Sequence, residues 1–262
     1  MPQPVSRVLS WEACFNIRDV GGYPTKSGGR IRWRRLVRAD NLRRLTPDGC
    51  AALVDYGVAT VIDLRAPFER RIDPSPFATG PVMPGAPIYL TIPILDSKGR
   101  DAAVADAINA ASTVEAMYRL LLDHCREQIG AVIRAIASAP DGGVLVYCHA
   151  GKDRTGLIAA LVLAIAGVRR STIARDYALS DACLRPLYEA QLRDERDADK
   201  RATLAQQLYS LLNAACPRTM TATLASLDER HGGVSAYLRG AGVEEDDACA
   251  REWWARAGGR HG

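Results

Sequence analysis

Cys148 and Arg154 enclose five residues, His149-Ala150-Gly151-Lys152-Asp153, and Thr155-Gly156 follow. On one side Val144-Leu145-Val146-Tyr147 is short, apolar and β-rich, and reads as a buried strand after the turn Pro140-Asp141-Gly142-Gly143. On the other side Leu157–Ala166 is an apolar run of helix formers stopped by Gly167. A thiol between strand end and helix start lies under the positive end of the helix dipole. Such surroundings lower a cysteine pKa from ~8.5 to roughly 3.5–7.5, which makes a thiolate at neutral pH. The tight reversal aims the backbone N–H groups of His149, Ala150, Gly151, Lys152, Asp153 and Arg154 inward as an anion nest. Arg154 adds a planar, permanently charged fork, and Thr155 adds a hydroxyl that could steady the sulfur as leaving group. The chemistry that fits is attack of sulfur on phosphorus, with no metal or cofactor. A nucleotide-binding Gly-x4-Gly-Lys-Ser/Thr loop is excluded, because positions 146 and 153 carry Val146 and Asp153.

Cleavage of a phosphate ester also needs a proton for the leaving oxygen, and an alkoxide needs it more than a phenolate. A carboxylic acid supplies it and then acts as base toward water. Two aspartates qualify. Asp96 follows Ile92-Pro93-Ile94-Leu95 and reaches the rim of the loop if a strand over Ile88–Leu95 lies beside Val144–Tyr147. Asp153 lies in the loop itself, where it could act as acid or pair with Lys152 or an N-terminal arginine. Asp96 is preferred. Lys152 either partners Asp153 or supplies a second cation for substrates with extra negative charge. Asp19 and Asp63 are expected in structural ion pairs with Arg18 or Arg65.

The segment Cys148-His149-Ala150-Gly151-Lys152-Asp153-Arg154-Thr155-Gly156 resembles the active-site loop of cysteine-dependent protein tyrosine phosphatases. It is most similar to the bacterial branch whose loop reads Cys-x-x-Gly-Lys-Asp-Arg-Thr-Gly, with its dual-specificity and lipid-phosphatase-like members. Asn16-Ile17-Arg18-Asp19-Val20-Gly21-Gly22-Tyr23, then Arg35–Leu42, Val61–Arg65 and His231–Leu238, repeat the order of the same branch. The resemblance spans nearly the whole chain. It implies a phosphocysteine intermediate, phosphotyrosine on protein as substrate with phosphoserine, phosphothreonine or phosphoinositide as alternatives, and Asp96 as acid. It also implies a helical lid over residues 181–215, for which ordinary core packing is the equal alternative. Tyr147 is a departure: these phosphatases place a histidine there, and His149 is not its equivalent. A sulfurtransferase also seats a cysteine in a backbone nest, but its loop usually lacks the Arg-Thr ending. A non-catalytic phosphate-binding module would not need nucleophile and acid together.

The chain has 262 residues, is 48% hydrophobic and 24% charged, and carries a net charge of +4. Those values describe an ordinary globular protein suited to anionic substrates. Its seven cysteines are widely spaced with no Cys-x-x-Cys, and its four histidines are scattered, so reduced thiols are expected and neither disulfides nor a metal cluster. Seven arginines between Arg30 and Arg44 read as a solvated face rather than a nucleic-acid surface, since the single aromatic among them, Trp33, does not make a series for base stacking. No signal core is visible, and Leu157–Val168 is shorter than the ~20 residues a bilayer requires. The expectation is cytoplasmic, without stable membrane insertion, with export lacking a cleaved signal left open.

These groups must be positioned by regular elements. Arg30–Arg34 alternates like a half-exposed strand. Thr46 caps a helix running to Tyr56, Val58–Leu64 is a buried strand, and Thr113–Ala137 reads as one long helix. After Gly167 the pattern is helical over Thr172–Leu179, Ala182–Leu192 and Thr203–Ala215. The expected fold is α/β and protein tyrosine phosphatase-like: a central, mostly parallel sheet flanked by helices, with an added C-terminal helical region, in a single domain over 1–262. The loop then lies at the carboxyl end of a strand, where such sheets bind ligands.

Overall fold

The computed structural model describes residues 6–79, 84–96, 101–212 and 216–244. In chain order the elements are β1 Arg18–Asp19, β2 Leu36–Ala39, α1 Pro47–Asp55, β3 Val58–Asp63, α2 Pro67–Ile72, α3 Pro76–Thr79, β4 Ile88–Thr91, α4 Ala102–Asn109, α5 Val114–His124 and α6 Arg126–Ala137. They continue with β5 Gly143–Tyr147, α7 Arg154–Ile165, α8 Arg170–Asp194, α9 Ala198–Leu212, α10 Pro217–His231 and α11 Val234–Arg239. The strands form one sheet in the order β1-β2-β5-β3-β4, parallel throughout except for the antiparallel β1–β2 pair.

β5 is central and every residue in it is buried, as parallel strands covered on both faces must be. Its alternate side chains enter two cores. Val144 and Val146 pack with α5, α6, α7 and α10, while Leu145 and Tyr147 pack with Trp11, Leu53 and Val61 on the α1 face. Tyr147 lies in register with Ala39 of β2 and Asp63 of β3, so the chain leaves the sheet between two neighbouring strand ends. α7 begins six residues beyond Cys148 and is buried from Thr155 to Leu163. A helix apolar all round belongs in a core. Burying Leu157, Ile158, Leu161, Val162 and Leu163 contributes about 1.5–3 kcal/mol each.

Four elements differ from the sequence expectation. The strand expected over Arg30–Arg34 is absent; Arg34 adopts φ +62° in a turn, and the strand is Leu36–Ala39, fully buried despite Arg38. The helix expected over Thr113–Ala137 breaks at Cys125 (φ −106°, ψ 25°), which lets α5 pack on α4 and α10 and α6 pack on α7. The segments Thr172–Leu179 and Ala182–Leu192 are one helix, α8, with Pro186 inside it. Ser180, between the two expected segments, is buried and accepts a hydrogen bond from Arg18 at 3.1 Å. The strand expected over Ile88–Leu95 ends at Thr91. Of the apolar stripe Leu204, Leu208, Leu211 and Leu212, only Leu204 has a side chain among the described residues.

Candidate active site

The loop after β5 is shaped by what holds its carbonyl oxygens. Asn41 N–H donates to His149 O at 2.9 Å, Asn16 Nδ2 to Ala150 O at 2.8 Å, and Arg38 Nη2 to Gly151 O at 2.8 Å. In a planar trans peptide the N–H points opposite to the C=O. Tying these carbonyls to the N-terminal part of the chain therefore turns the N–H groups of Ala150, Gly151 and Lys152 to the other side. Gly151 makes the turn at φ +64°; a Cβ there would collide with the Ala39 carbonyl and lie 2.7 Å from Asp40 N.

Behind the loop lies a buried ionic cluster. Asp176 of α8 accepts from Arg38 Nη1 at 2.7 Å and from Arg18 Nε at 3.2 Å, with all three side chains at most 1% exposed. Tyr23 OH donates to Asp176 Oδ1 at 3.0 Å, and Arg18 Nη1 donates to Asn16 Oδ1 at 2.5 Å. Burial pushes the Asp176 carboxyl up, but the two guanidinium groups outweigh it and carry the pKa down to about 2. Two guanidinium groups against one carboxylate leave an excess positive charge behind the loop, which favours an anion in front of it.

Arg154 is fixed from the other direction. Glu69, in the first turn of α2, takes Arg154 Nη1 on Oε2 at 2.6 Å and Nη2 on Oε1 at 2.8 Å. The same Oε2 accepts the Ala66 N–H at 2.8 Å, the capping interaction of α2. Burial pushes Glu69 up, yet the Arg154 fork holds it below the usual carboxylate range. The guanidinium is thereby held rigid at the mouth of the loop.

These groups meet at a cavity of about 430 Å³. Cys148, His149, Ala150, Lys152, Asp153 and Arg154 line it from the loop, and Asp40, Asn41, Arg43 and Arg44 line it from the segment after β2. Leu184, Leu187, Tyr188 and Gln191 of α8 and Leu204 of α9 form a further wall, with Leu184 and Tyr188 packed against Ala150 and Leu204. Cys148 is only 3% exposed, yet the cavity reaches it. The arrangement can hold a tetrahedral oxyanion between N–H groups and guanidinium, above a sulfur. No group of three or more His, Cys, Asp or Glu side chains that could hold a metal occurs among the described residues.

The sequence-stated site residues fall into place unevenly. Cys148, His149, Ala150, Lys152, Asp153 and Arg154 all line the cavity. Thr155 Oγ1 is buried without a hydrogen-bond partner among the described residues, so it makes no bond to the sulfur. Asp96 does not line the cavity. β4 pairs with β3 at the sheet edge, β3 separates it from β5, and the Asp96 N–H donates to Asp101 Oδ2 at 2.9 Å. The condition that would carry Asp96 to the rim, β4 beside β5, is not met; residues 97–100 lie outside the described residues. Asp153 Oδ1 instead accepts a 2.6 Å hydrogen bond from Tyr118 of α5. Asp63 pairs with Arg65 at 2.7 Å as expected. Asp19 forms no ion pair with Arg18; it accepts from Gly21 N–H, Arg34 N–H and Tyr56 OH, each at 2.6 Å. Tyr147 points away from the sulfur, donating to Asp63 Oδ2 at 2.5 Å and accepting from Arg65 Nη2 at 3.0 Å. Glu69, Asp176, Tyr118 and Tyr177 were not foreseen. Only Glu69 left a local trace, three residues after Ala66 and two after a helix-starting proline.

A family model described as the tyrosine phosphatase family matches residues 9–250. The chain belongs to that family. A tyrosine-protein phosphatase of Nostoc commune is 34% identical over 217 residues, covering 81% of this chain and 71% of the relative. The triple specificity protein phosphatase PtpB of Mycobacterium tuberculosis is 27% identical, covering 88% and 92%. A putative tyrosine-protein phosphatase of Cupriavidus necator is 27% identical, covering 93% and 86%. The matched range of this tyrosine phosphatase includes the N-terminal donors, Glu69, the loop and α8, so the site described above lies wholly within it. No helix among its described residues is long and apolar enough to cross a membrane.

Proposed function

We propose that this tyrosine phosphatase hydrolyses phosphate monoesters with Cys148 as nucleophile, Arg154 and the N–H groups of residues 149–154 as oxyanion holders, and Asp153 as acid. The observation that carries this reading is the cavity: it reaches the Cys148 sulfur inside a loop whose carbonyls are tied outward and whose arginine is clamped. Sulfur attacks phosphorus in line as the phosphorus–oxygen bond to the leaving group breaks. The equatorial oxygens gain charge-assisted bonds from Arg154 as that happens. Asp153 gives its proton to the departing oxygen, then takes one from the water that hydrolyses the phosphocysteine. Asp153 is preferred to Asp96 as acid because it lines the cavity and Asp96 does not. The part of α8 beyond Ser180, together with α9, acts as a cover over the cavity.

The substrate is protein phosphotyrosine, with phosphoserine and phosphothreonine also accepted. A cytoplasmic setting suits such substrates. A phosphoinositide headgroup is a second reading, favoured by Lys152, Arg43 and Arg44 lining the same cavity. Cys148→Ser tests the nucleophile: turnover of an aryl phosphate is expected to vanish while orthovanadate or phosphate still binds, and retained turnover would remove Cys148 from the role. Phosphotyrosine, phosphoserine and phosphothreonine peptides, assayed beside mono- and bis-phosphorylated inositol lipids, rank the substrate classes by kcat/KM. A higher kcat/KM on the lipids would reverse the preference.

A further inference from the structure

Two buried tyrosines sit behind Asp153. Tyr118 comes from α5 and Tyr177 from α8, and neither ring is more than 1% exposed. The rings meet edge to face, with centroids 6.1 Å apart at 82°. Tyr118 OH is 2.6 Å from Asp153 Oδ1, and the two phenol oxygens are 2.7 Å apart. A carboxylate only accepts, so the single Tyr118 hydroxyl hydrogen goes to Asp153. The hydrogen between the phenols then belongs to Tyr177, and the chain runs Tyr177 to Tyr118 to Asp153.

We propose that Tyr118 and Tyr177 are positioning residues for the acid: they fix one oxygen of Asp153, so that the other is the oxygen that carries the proton to the leaving group. This rests on the reading of Asp153 as acid. Core packing alone would explain two tyrosines, but not why their hydroxyls line up on the one carboxylate of the loop. Burial first, and the Asp153 charge second, push Tyr118 well above its ordinary value, and burial does the same to Tyr177. Both remain donors across the working range and do not themselves titrate.

Other charges face the same carboxylate. On the loop these are Cys148, Lys152 and Arg154; on α8, Asp181 and Tyr188 act on the neighbourhood of Tyr177 and Asp153. Arg38 of β2 lies near Tyr177. All of them are kept when only a phenol oxygen is removed. Without the Tyr118 donor one oxygen of Asp153 is no longer held, so the loss falls on the step that needs the Asp153 proton, and the substrate with the poorer leaving group suffers more.

The test compares kcat and KM for phosphoserine peptide and for an aryl phosphate in wild type, Tyr118→Phe, Tyr177→Phe and Asp153→Asn. Tyr118→Phe keeps the ring and is expected to lower kcat on phosphoserine peptide about tenfold with KM little changed, and to change the aryl phosphate far less. Tyr177→Phe, one hydrogen bond further from the loop, is expected to give a smaller loss of the same kind, and it carries the test if Tyr118→Phe does not fold. Asp153→Asn is expected to lose more on phosphoserine peptide than either. If Asp153→Asn slows both substrates equally or not at all, the acid assignment falls and this inference falls with it. If Asp153→Asn is selective for phosphoserine peptide while both phenylalanine variants keep wild-type kinetics or slow both substrates equally, the acid stands and the tyrosines are packing only.

Discussion

The two sides of the reactive loop are built from opposite materials. Behind it, Arg18, Arg38 and Asp176 form a buried charged cluster with fixed hydrogen bonds to the loop carbonyls. In front, Leu184, Leu187 and Tyr188 of α8 and Leu204 of α9 present a mostly apolar wall packed against Ala150. A buried ion cluster is costly to form and costly to break, and it specifies one geometry. An apolar helix face tolerates exchange and displacement at small cost. On the proposed reading, the back sets the reaction centre and the front sets access to it.

The sharpest way to break that contrast is Arg38→Met. It strips Asp176 of one partner and Gly151 O of its donor. The expected loss is about 3–5 kcal/mol of stability, a Tm drop of roughly 10 °C, together with loss of turnover. A calorimetric Tm unchanged from wild type would show that the back wall holds nothing. Glu69→Gln comes next. It keeps the shape of the clamp but removes its charge, and kcat/KM for an aryl phosphate should fall about ten- to hundredfold with little change in Tm. Equal kinetics in the two proteins would mean that Arg154 needs no clamp.

Acid tests the same cluster without mutation. The folded Asp176 carboxyl stands at about 2, against an ordinary value of 3.8. A depressed carboxyl contributes stability that is complete above the unfolded value and lost as pH falls through the folded one. Urea titrations should lose roughly 2 kcal/mol between about pH 4 and pH 2 from this group. Stability that stays flat across that window would mean the carboxyl is not held by its arginines. The smallest effect belongs to the front. Leu187→Ala should leave aryl phosphate turnover nearly unchanged and move KM for a phosphopeptide by no more than about fivefold. A collapse of turnover on the small substrate would give the front wall a share in the chemistry.

The same division explains what could be read from the sequence. β5, the loop and α7 were legible because strand, spacing and apolar run are contiguous, and Cys148 and Arg154 lie within them. The fold class followed from the alternation of elements. The back wall was not legible. Arg38 sits in a fully buried central strand, where a charge argues against a strand, and its partner Asp176 is inside a helix that begins more than 130 residues later. Glu69 meets Arg154 across 85 positions. The neighbour weighed for β5 was the strand Ile88–Leu95, but sequence alone does not state strand order, and β3 took that position. Cys125 breaks a helix with no glycine or proline to announce it; the cause is two different packing partners.

The bonds that shape the loop join residues far apart in the chain: 134 positions for Asn16 to Ala150 and 158 for Arg18 to Asp176. During synthesis Cys148 therefore emerges before the bonds that shape its loop can form. Its nest cannot close until the middle of α8 has left the ribosome and docked on the first forty residues. The shaped site arrives with the last long-range contacts rather than with the motif, so a copy that ends before α8 carries the motif without the bonds to Asp176 or the α8 wall of the cavity.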